Sequence, residues 1–410
     1  MSRISGSSYD SRLMSRSGDG STLSLDFTAM GGVLDPRITF SRADATARAT
    51  FINSLGYVET VATAQAPRFT FSETSIGTPR GLLLEAPATN YLPFSNTLQG
   101  GSWFTGNNGA GNGPTITNPY TATNPANGST STRIQFPIAD GGGAPRLYYI
   151  TSQTLPYTMS LWMKSNTAGN HTVSLFQNDA WVDFTVTPTW QRFQTTRTSG
   201  GALIGFFFLG NTSTTLTPDI LVYGAQLEAG SSPASSYIPT GAAAVTRAVD
   251  TAIIAAGTNF SSWYTGGTTG TFVTEWCRCS PTTTQRTVIA TSDVPNQHLH
   301  QYIAATTSRL RLADKVPAFI ETTNASVDNS INKGAFSYSG SVQSLCLNGG
   351  TVVPGTLAFS VAPTFLSIGG PSTNGTSITD TAVVLNNAIR KIKYFPTRLS
   401  DGQIQGLSTL

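Results

Sequence analysis

Very little of this sequence is charged. Only 11% of its 410 residues are Asp, Glu, Lys or Arg, against about 25% in an ordinary globular protein. Lysine occurs five times and the net charge is +3, so no clustered basic stripe exists of the kind a phosphate backbone demands, and nucleic acid is not expected as a partner. Apolar runs are short as well. No stretch of 18 consecutive apolar residues is present, which excludes a membrane-spanning helix and predicts no membrane insertion.

Reactive side chains are equally sparse. The three cysteines are Cys277, Cys279 and Cys346; the first two stand two apart on one strand face, a poor geometry for a disulfide, and no zinc-type spacing occurs, so buried thiols are expected. The three histidines are His171, His298 and His300. His298 and His300 alternate and could share a metal, but a solvated strand face is the expected reading. Serine-hydrolase chemistry would need a G-x-S-x-G elbow, which is absent. Retaining glycoside hydrolysis needs two carboxylates about 5 to 5.5 Å apart, and the strand acids Glu275, Asp314 and Glu321 are scattered. No catalytic residue is therefore predicted, and the protein is not expected to be an enzyme.

What is abundant points one way. Forty Gly and 22 Pro, with Thr, Val, Ile, Phe and Tyr throughout, give an all-β chain rich in turns. The length asks for more than one core. Residues 1–24, with nine serines, three arginines and no apolar signal-peptide core, read as a polar docking arm that stays disordered or meets a partner. Residues 25–95 carry five short strands and read as a small β module. From Ser95 to about Arg133 Asn, Gly, Thr and Pro dominate, predicting a long loop. Eight strands with regular turn signals then read as a jelly roll over 96–248, ending in "DILVYGAQLEA", where Leu221, Tyr223, Ala225 and Leu227 should line one apolar face. Met159, Leu161 and Met163 should do the same in "YTMSLWMKS". The remaining 249–410 repeat the sandwich pattern, with a hairpin signal at Asn348-Gly349 and a terminal helix whose Ser400, Gln403, Leu399 and Ile404 form a capping box and staple.

Saccharides are recognised by aromatic faces with amide and carboxylate neighbours. The candidate glycan-binding residues are Trp103 beside the long loop, Trp181 with Asn178 and Asp179 in "QNDAW", and Trp263 with Tyr264 in "SSWYTGG"; core anchoring is the competing reading for each. Trp162 and Trp276, mid-strand, are assigned to cores. Arg37, Arg42, Arg68 and Arg80 are expected to pair with Asp35, Asp44 and Glu85, and Glu228 to find an Arg or a backbone N–H. No cofactor is called for. Calcium is left open, with Asp380 and Asp293 as candidates although no Asp-rich loop is present.

The order "LDFT", "LDPRITFSR", "APRF", "GLLLE", "TN" resembles an N-terminal module of tailed-bacteriophage structural proteins. "YGAQLEAG" and "SYIPT" followed by "VTRAVD" are similar to the end of the carbohydrate-binding-module-like jelly roll that follows it. "SYSGSVQSLCLNGGTV" with "IRKIKYFPTRLSDGQIQGL" resembles the last strands of concanavalin A-like (laminin G-like) lectin domains. The resemblance implies a virion protein assembled in the host cytoplasm, of tail-fibre, receptor-binding or capsid-decoration type. Its arm and module would meet other virion proteins, its outer domains would contact host surface polysaccharide, and its default assembly would be a homotrimer.

Overall fold

The computed structural model describes residues 18–29, 32–100, 103–107, 112–140, 143–151, 153–177, 180–199, 206–230, 233–278, 284–294, 297–305, 307–315, 318–357, 359 and 361–410. Within them the chain is all-β, with antiparallel sheets packed as sandwiches. The arm up to Ser17 lies outside the described residues.

One sandwich is the jelly roll. Its first sheet runs, in spatial order, Gln191–Arg197, Tyr157–Ser165, Asp219–Ala229, Thr130–Gln135, Thr115–Thr121; its second runs Ala180–Val186, His171–Gln177, Phe206–Gly210, Arg146–Ile150, Trp103–Gly106. Met159, Leu161, Met163, Leu147, Val173, Leu175, Leu209 and Val222 interdigitate between the two with no exposure. The segment expected to be a loop thus holds two edge strands. Thr115–Thr121 alternates exposed and half-buried residues along its length, as a strand pairing on one side only should, and its polar sequence hid it.

The long strand Asp219–Ala229 differs from its expected face pattern. Ala225 and Leu227 enter the jelly-roll core together with Ile220 and Val222, whereas Tyr223 faces outward into a separate cluster with Trp162 and Tyr237. The cause is a bulge: opposite it the register slips between Ser160 and Trp162, and Gly224 sits at φ 65°, where a Cβ would lie 3.0 Å from the Trp162 ring. One extra residue inverts the alternation of everything beyond it.

The second sandwich is shared between the two ends of the chain. An eight-stranded sheet carries Val353–Gly355, Val342–Leu347, Ile331–Ser339, Thr269–Cys277, Asn387–Phe395, Pro79–Leu84 and Phe69–Phe71, with Leu23–Asp26 also paired to Asn387–Phe395. A seven-stranded sheet carries Ile38–Ser41, Thr251–Ile254, Leu366–Ile368, Arg286–Val294, Gln297–Ile303, Arg309–Lys315 and Ala318–Ala325. Leu23, Leu25, Phe27, Ile38, Leu82 and Leu84 lie in one core with Trp276, Phe336, Ile389 and Ile392. The strands of the module expected over 25–95 are too short to bury a core alone; Leu23–Asp26, Ile38–Ser41, Phe69–Phe71 and Pro79–Leu84 join the C-terminal sandwich, while Thr50–Ile52 pairs with Val58–Thr60 and Ala88–Asn90 with Val245–Arg247.

Several local readings survive unchanged. Ser400 and Gln403 form the capping box, and Ile404 is buried against Leu399. Asn348 and Gly349 take the positive φ values their turn requires. Cys277 and Cys346 are buried free thiols; Cys279 lies outside the described residues.

Candidate functional site

The four described candidate saccharide residues, Trp103, Trp181, Trp263 and Tyr264, do not converge. Trp263 and Tyr264 are buried, because the single helical turn Thr258–Ser261 folds the segment after it under the sandwich. The Trp263 ring meets Phe260 at 4.8 Å and Tyr394 at 5.3 Å, and the Tyr264 hydroxyl donates to the carbonyl of Gly267 at 2.6 Å. Both are core residues. Trp103 is half-buried on the inner face of the jelly roll, wedged against Tyr149 and Phe207, with Nε1 donating to the Pro93 carbonyl at 2.7 Å. Trp181 is half-buried on the opposite face of the same sheet, edge-on to Phe176 at 5.3 Å, and its ring covers Gly210 so closely that a Cβ there would approach to 2.8 Å. Asn178 and Asp179 lie outside the described residues.

The other sequence candidates resolve as structural parts. His300 is buried rather than solvated, its Nε2 2.9 Å from the Thr287 hydroxyl; the His298 side chain is outside the description. Asp380 caps a 3-10 turn by accepting from the Ala382 N–H at 3.0 Å, and the Asp293 side chain is outside the description. No three His, Cys, Asp or Glu side chains group as a metal site among the described residues.

The arginines of the N-terminal segment meet acids of both ends of the chain. Arg42 pairs with Asp44 at 2.9 Å and with Asp250 at 3.0 Å, Arg68 pairs with Glu85 at 2.6 Å and with Asp250, and Arg247 pairs with Glu85 at 2.9 Å. All three arginine side chains and Asp250 are fully buried. Three cations and three anions so placed satisfy the requirement that buried charge be paired, while Arg68 Nε and Arg247 Nε and Nη1 make no hydrogen bond among the described residues. Burial alone would raise the Glu85 carboxyl, but the guanidiniums of Arg247 and Arg68 and the bonds from Ser236 outweigh it and hold its pKa at about 2. Ser236 ties in the linker after the jelly roll, its backbone N–H donating to Glu85 at 2.7 Å.

Glu228 stands next to this cluster with different partners. It accepts from the Ser235 hydroxyl at 2.5 Å, the Ser235 N–H at 3.0 Å and the Gln226 amide at 2.7 Å. Burial pushes its pKa up despite these bonds. The strand closes its domain, and the acid staples the departing linker.

Beside the ionic cluster the same segments leave a cleft of about 490 Å³. Its walls come from three parts of the chain: Thr50 to Ile52 and Thr70 to Thr74; the outward face of the jelly roll, with Trp162, Arg192 and Gln194; and Asn329, Asn386 and Asn387 of the C-terminal sandwich. Arg80 and Glu85 also line it, with the Pro233–Tyr237 linker and the apolar Val58 and Leu83. The Arg192 guanidinium lies 4.6 Å over the Trp162 ring and donates to Ser160 Oγ at 3.1 Å and to the Ser235 carbonyl at 2.8 Å. Its Nε is buried with no hydrogen-bond partner among the described residues. Among the described residues the Arg80 guanidinium donates to the Asn329 carbonyl, at 3.5 Å, and to no acid. The sequence singles out Arg80 and Glu85 for ion pairs and Trp162 for a core, but not Arg192, Gln194 or the three asparagines. The one available signal was the outward period-two position of Arg192 and Gln194 in "WQRFQTT".

No family model and no curated protein sequence matches the chain. Solved structures similar to part of it include the CBM40 of the Ruminococcus gnavus IT-sialidase bound to alpha2,3 sialyllactose, at 14% identity over 35% of this chain and 84% of that one, TM-score 0.30. Domain 4 of AbnA, a GH43 extracellular arabinanase from Geobacillus stearothermophilus, in complex with arabinotriose, is 14% identical over 44% of this chain and 83% of that one, TM-score 0.32. A SAP-like pentraxin from Limulus polyphemus is 11% identical over 35% of this chain and 70% of that one, TM-score 0.27. At such scores no role passes from them to this chain.

Proposed function

We propose that the protein is a non-catalytic structural protein of a tailed-phage particle that acts in attachment by holding surface saccharide in the junction cleft. The observation that carries the saccharide part is the cleft lining: asparagine and glutamine amides, hydroxyls and guanidiniums around a volume within the range of ligand pockets. Sugar hydroxyls need convergent donors and acceptors of this kind, and two-layer sheets give them a rigid frame. The lining also supports the non-catalytic reading. Its two acids are Glu73, exposed, and Glu85, already engaged by Arg68, Arg247 and Ser236. A carboxylate so engaged serves neither as acid nor as nucleophile. The phage particle, the virion partners of the N-terminal segment and a homotrimeric assembly rest on the motif order in the sequence.

A glycan array probed with the full chain tests the reading. Binding is expected, and it should disappear in Thr74→Trp, which places a large ring in the cleft from an exposed loop. Absence of binding would favour a decoration or assembly protein without a host ligand, and release of reducing ends from polysaccharide would make it a depolymerase. Immunogold labelling with antibody to the chain should decorate intact particles; unlabelled particles would remove the virion assignment.

A further inference from the structure

From the charge balance of the cleft we infer that its ligand is an acidic saccharide, one bearing a carboxylate, with Arg80 and Arg192 as the groups that receive it; this rests on the saccharide reading above. The reasoning starts from a contrast between arginines that lie close together. Arg42, Arg68 and Arg247 are each ion-paired with carboxylates in the buried cluster. Arg80 and Arg192 line the cleft, and neither forms an ion pair with any acid among the described residues.

Of the buried acids, Asp44, Glu85 and Asp250 pair with the first group, whereas Glu228 acts on Arg192 through its charge without an ion pair and is hydrogen-bonded by Ser235 and Gln226. Glu85 reaches the lining but is neutralised by Arg68 and Arg247. Glu73 is the remaining acid of the lining, and it is exposed. The net field in the cleft is therefore positive, and a partly enclosed site strengthens it relative to open water.

Arg192 is also built to receive an anion. Stacking on Trp162 and bonds from Nη2 to Ser160 and Ser235 fix its plane, and its Nε is left buried without an acceptor among the described residues. Among the described residues Nη1 makes no hydrogen bond, so it is the donor left to meet a ligand carboxylate through a charge-assisted bond. The amides of Gln194, Asn329 and Asn387 around it supply contacts suited to ring hydroxyls. A free carboxylate would satisfy the guanidiniums but not this amide lining, which is why the acid is placed on a sugar.

The test uses the full chain and an array in which each carboxylated oligosaccharide is printed beside its neutral methyl ester and a sulfated counterpart. Carboxylated members should bind at least about tenfold more tightly than their esters, from the strength of a charge-assisted hydrogen bond. Arg80→Gln should erase that preference, and Arg192→Lys, which keeps the charge but not the guanidinium plane stacked on Trp162, should reduce it. Glu73→Gln, on an exposed loop where folding is not at stake, should tighten carboxylated ligands by up to about fivefold. Melting curves of each variant show that the fold is intact. Equal binding of acids and esters would overturn the inference and leave the saccharide reading standing. A preference for sulfated members alone would overturn the carboxylate assignment, and an array with no binding would overturn both.

Discussion

Arg68 and Asp250, 182 residues apart in sequence, form a direct ion pair with both side chains fully buried. The pair joins the N-terminal segment, just before its strand Phe69–Phe71, to the chain after it leaves the jelly roll, and Arg42 and Arg247 reach the same carboxylate. Removing Asp250 would leave three guanidiniums in a dry site with one acceptor fewer. Asp250→Ala is expected to cost about 3–5 kcal/mol, seen as a lower denaturant midpoint. Lys393→Ala, which breaks a half-exposed pair with Asp19, should cost about 1 kcal/mol or less. Equal costs would mean that the cluster does not hold the segments together.

Acid should act on this cluster through Glu85. Its pKa of about 2 lies below the usual carboxylate value. A lowered folded-state pKa gives stability that is complete above about pH 4.3 and is lost as pH falls from there toward 2. Glu85→Gln should lower the melting temperature at pH 7 and flatten the acid limb of the melting-temperature profile. A Gln variant with the wild-type acid limb would assign that limb to other carboxylates.

Glu228 has the opposite sign. Its pKa is raised by burial, so its contribution is full below the unfolded-state pKa and is lost as pH rises through the folded-state value. In Glu228→Gln a neutral amide can keep one oxygen toward Ser235 N–H and Gln226 and turn its NH2 toward the Ser235 hydroxyl. The variant should therefore be at least as stable as wild type at pH 7, with the difference vanishing near pH 4. Substantial destabilisation at pH 7 would show that the negative charge itself is needed there, through Arg192 or Arg247.

Residues 249–410 should not form a stable domain alone. Without the N-terminal segment, Asn387–Phe395 loses both Leu23–Asp26 and Pro79–Leu84, and Thr251–Ile254 loses Ile38–Ser41. Six core side chains from Leu23 to Leu84 would also be missing, and unpaired strand edges aggregate. The fragment is expected to be insoluble or to lack near-ultraviolet dichroism, and a soluble fragment with native dispersion would show that the N-terminal strands are accessory.

What could be read from the sequence was what the local chain determines. Arg37 with Asp35 and Arg42 with Asp44 stand two apart at the two ends of the strand Ile38–Ser41, close enough in sequence for each pair to form locally. The capping box is likewise contained within four residues. The pairing of Arg68 with Asp250 depends on sheet topology that no local pattern encodes, so "APRF" and "VTRAVD" could be noticed but not joined. The face of Tyr223 was misjudged because one bulge at Gly224 reverses the alternation. The junction cleft was invisible for the same reason as the ion pair: its walls are contributed by residues from Thr50 to Asn387.

Trp263 offers the sharpest separation of core from ligand chemistry. The ring is 1% exposed, packed among Phe260, Tyr264, Phe272 and Tyr394, so Trp263→Ala should cost about 3–5 kcal/mol. Its Nε1 has no hydrogen-bond partner among the described residues, and Trp263→Phe keeps an aromatic ring while deleting that unsatisfied donor. The Phe variant should therefore recover most of the loss, leaving a cost under about 1.5 kcal/mol. Neither change should alter saccharide affinity measured well below the melting temperature of the variant, because the ring meets no solvent. A folded Trp263→Phe protein with weakened saccharide binding would place a ligand against this indole and sink its assignment to the core.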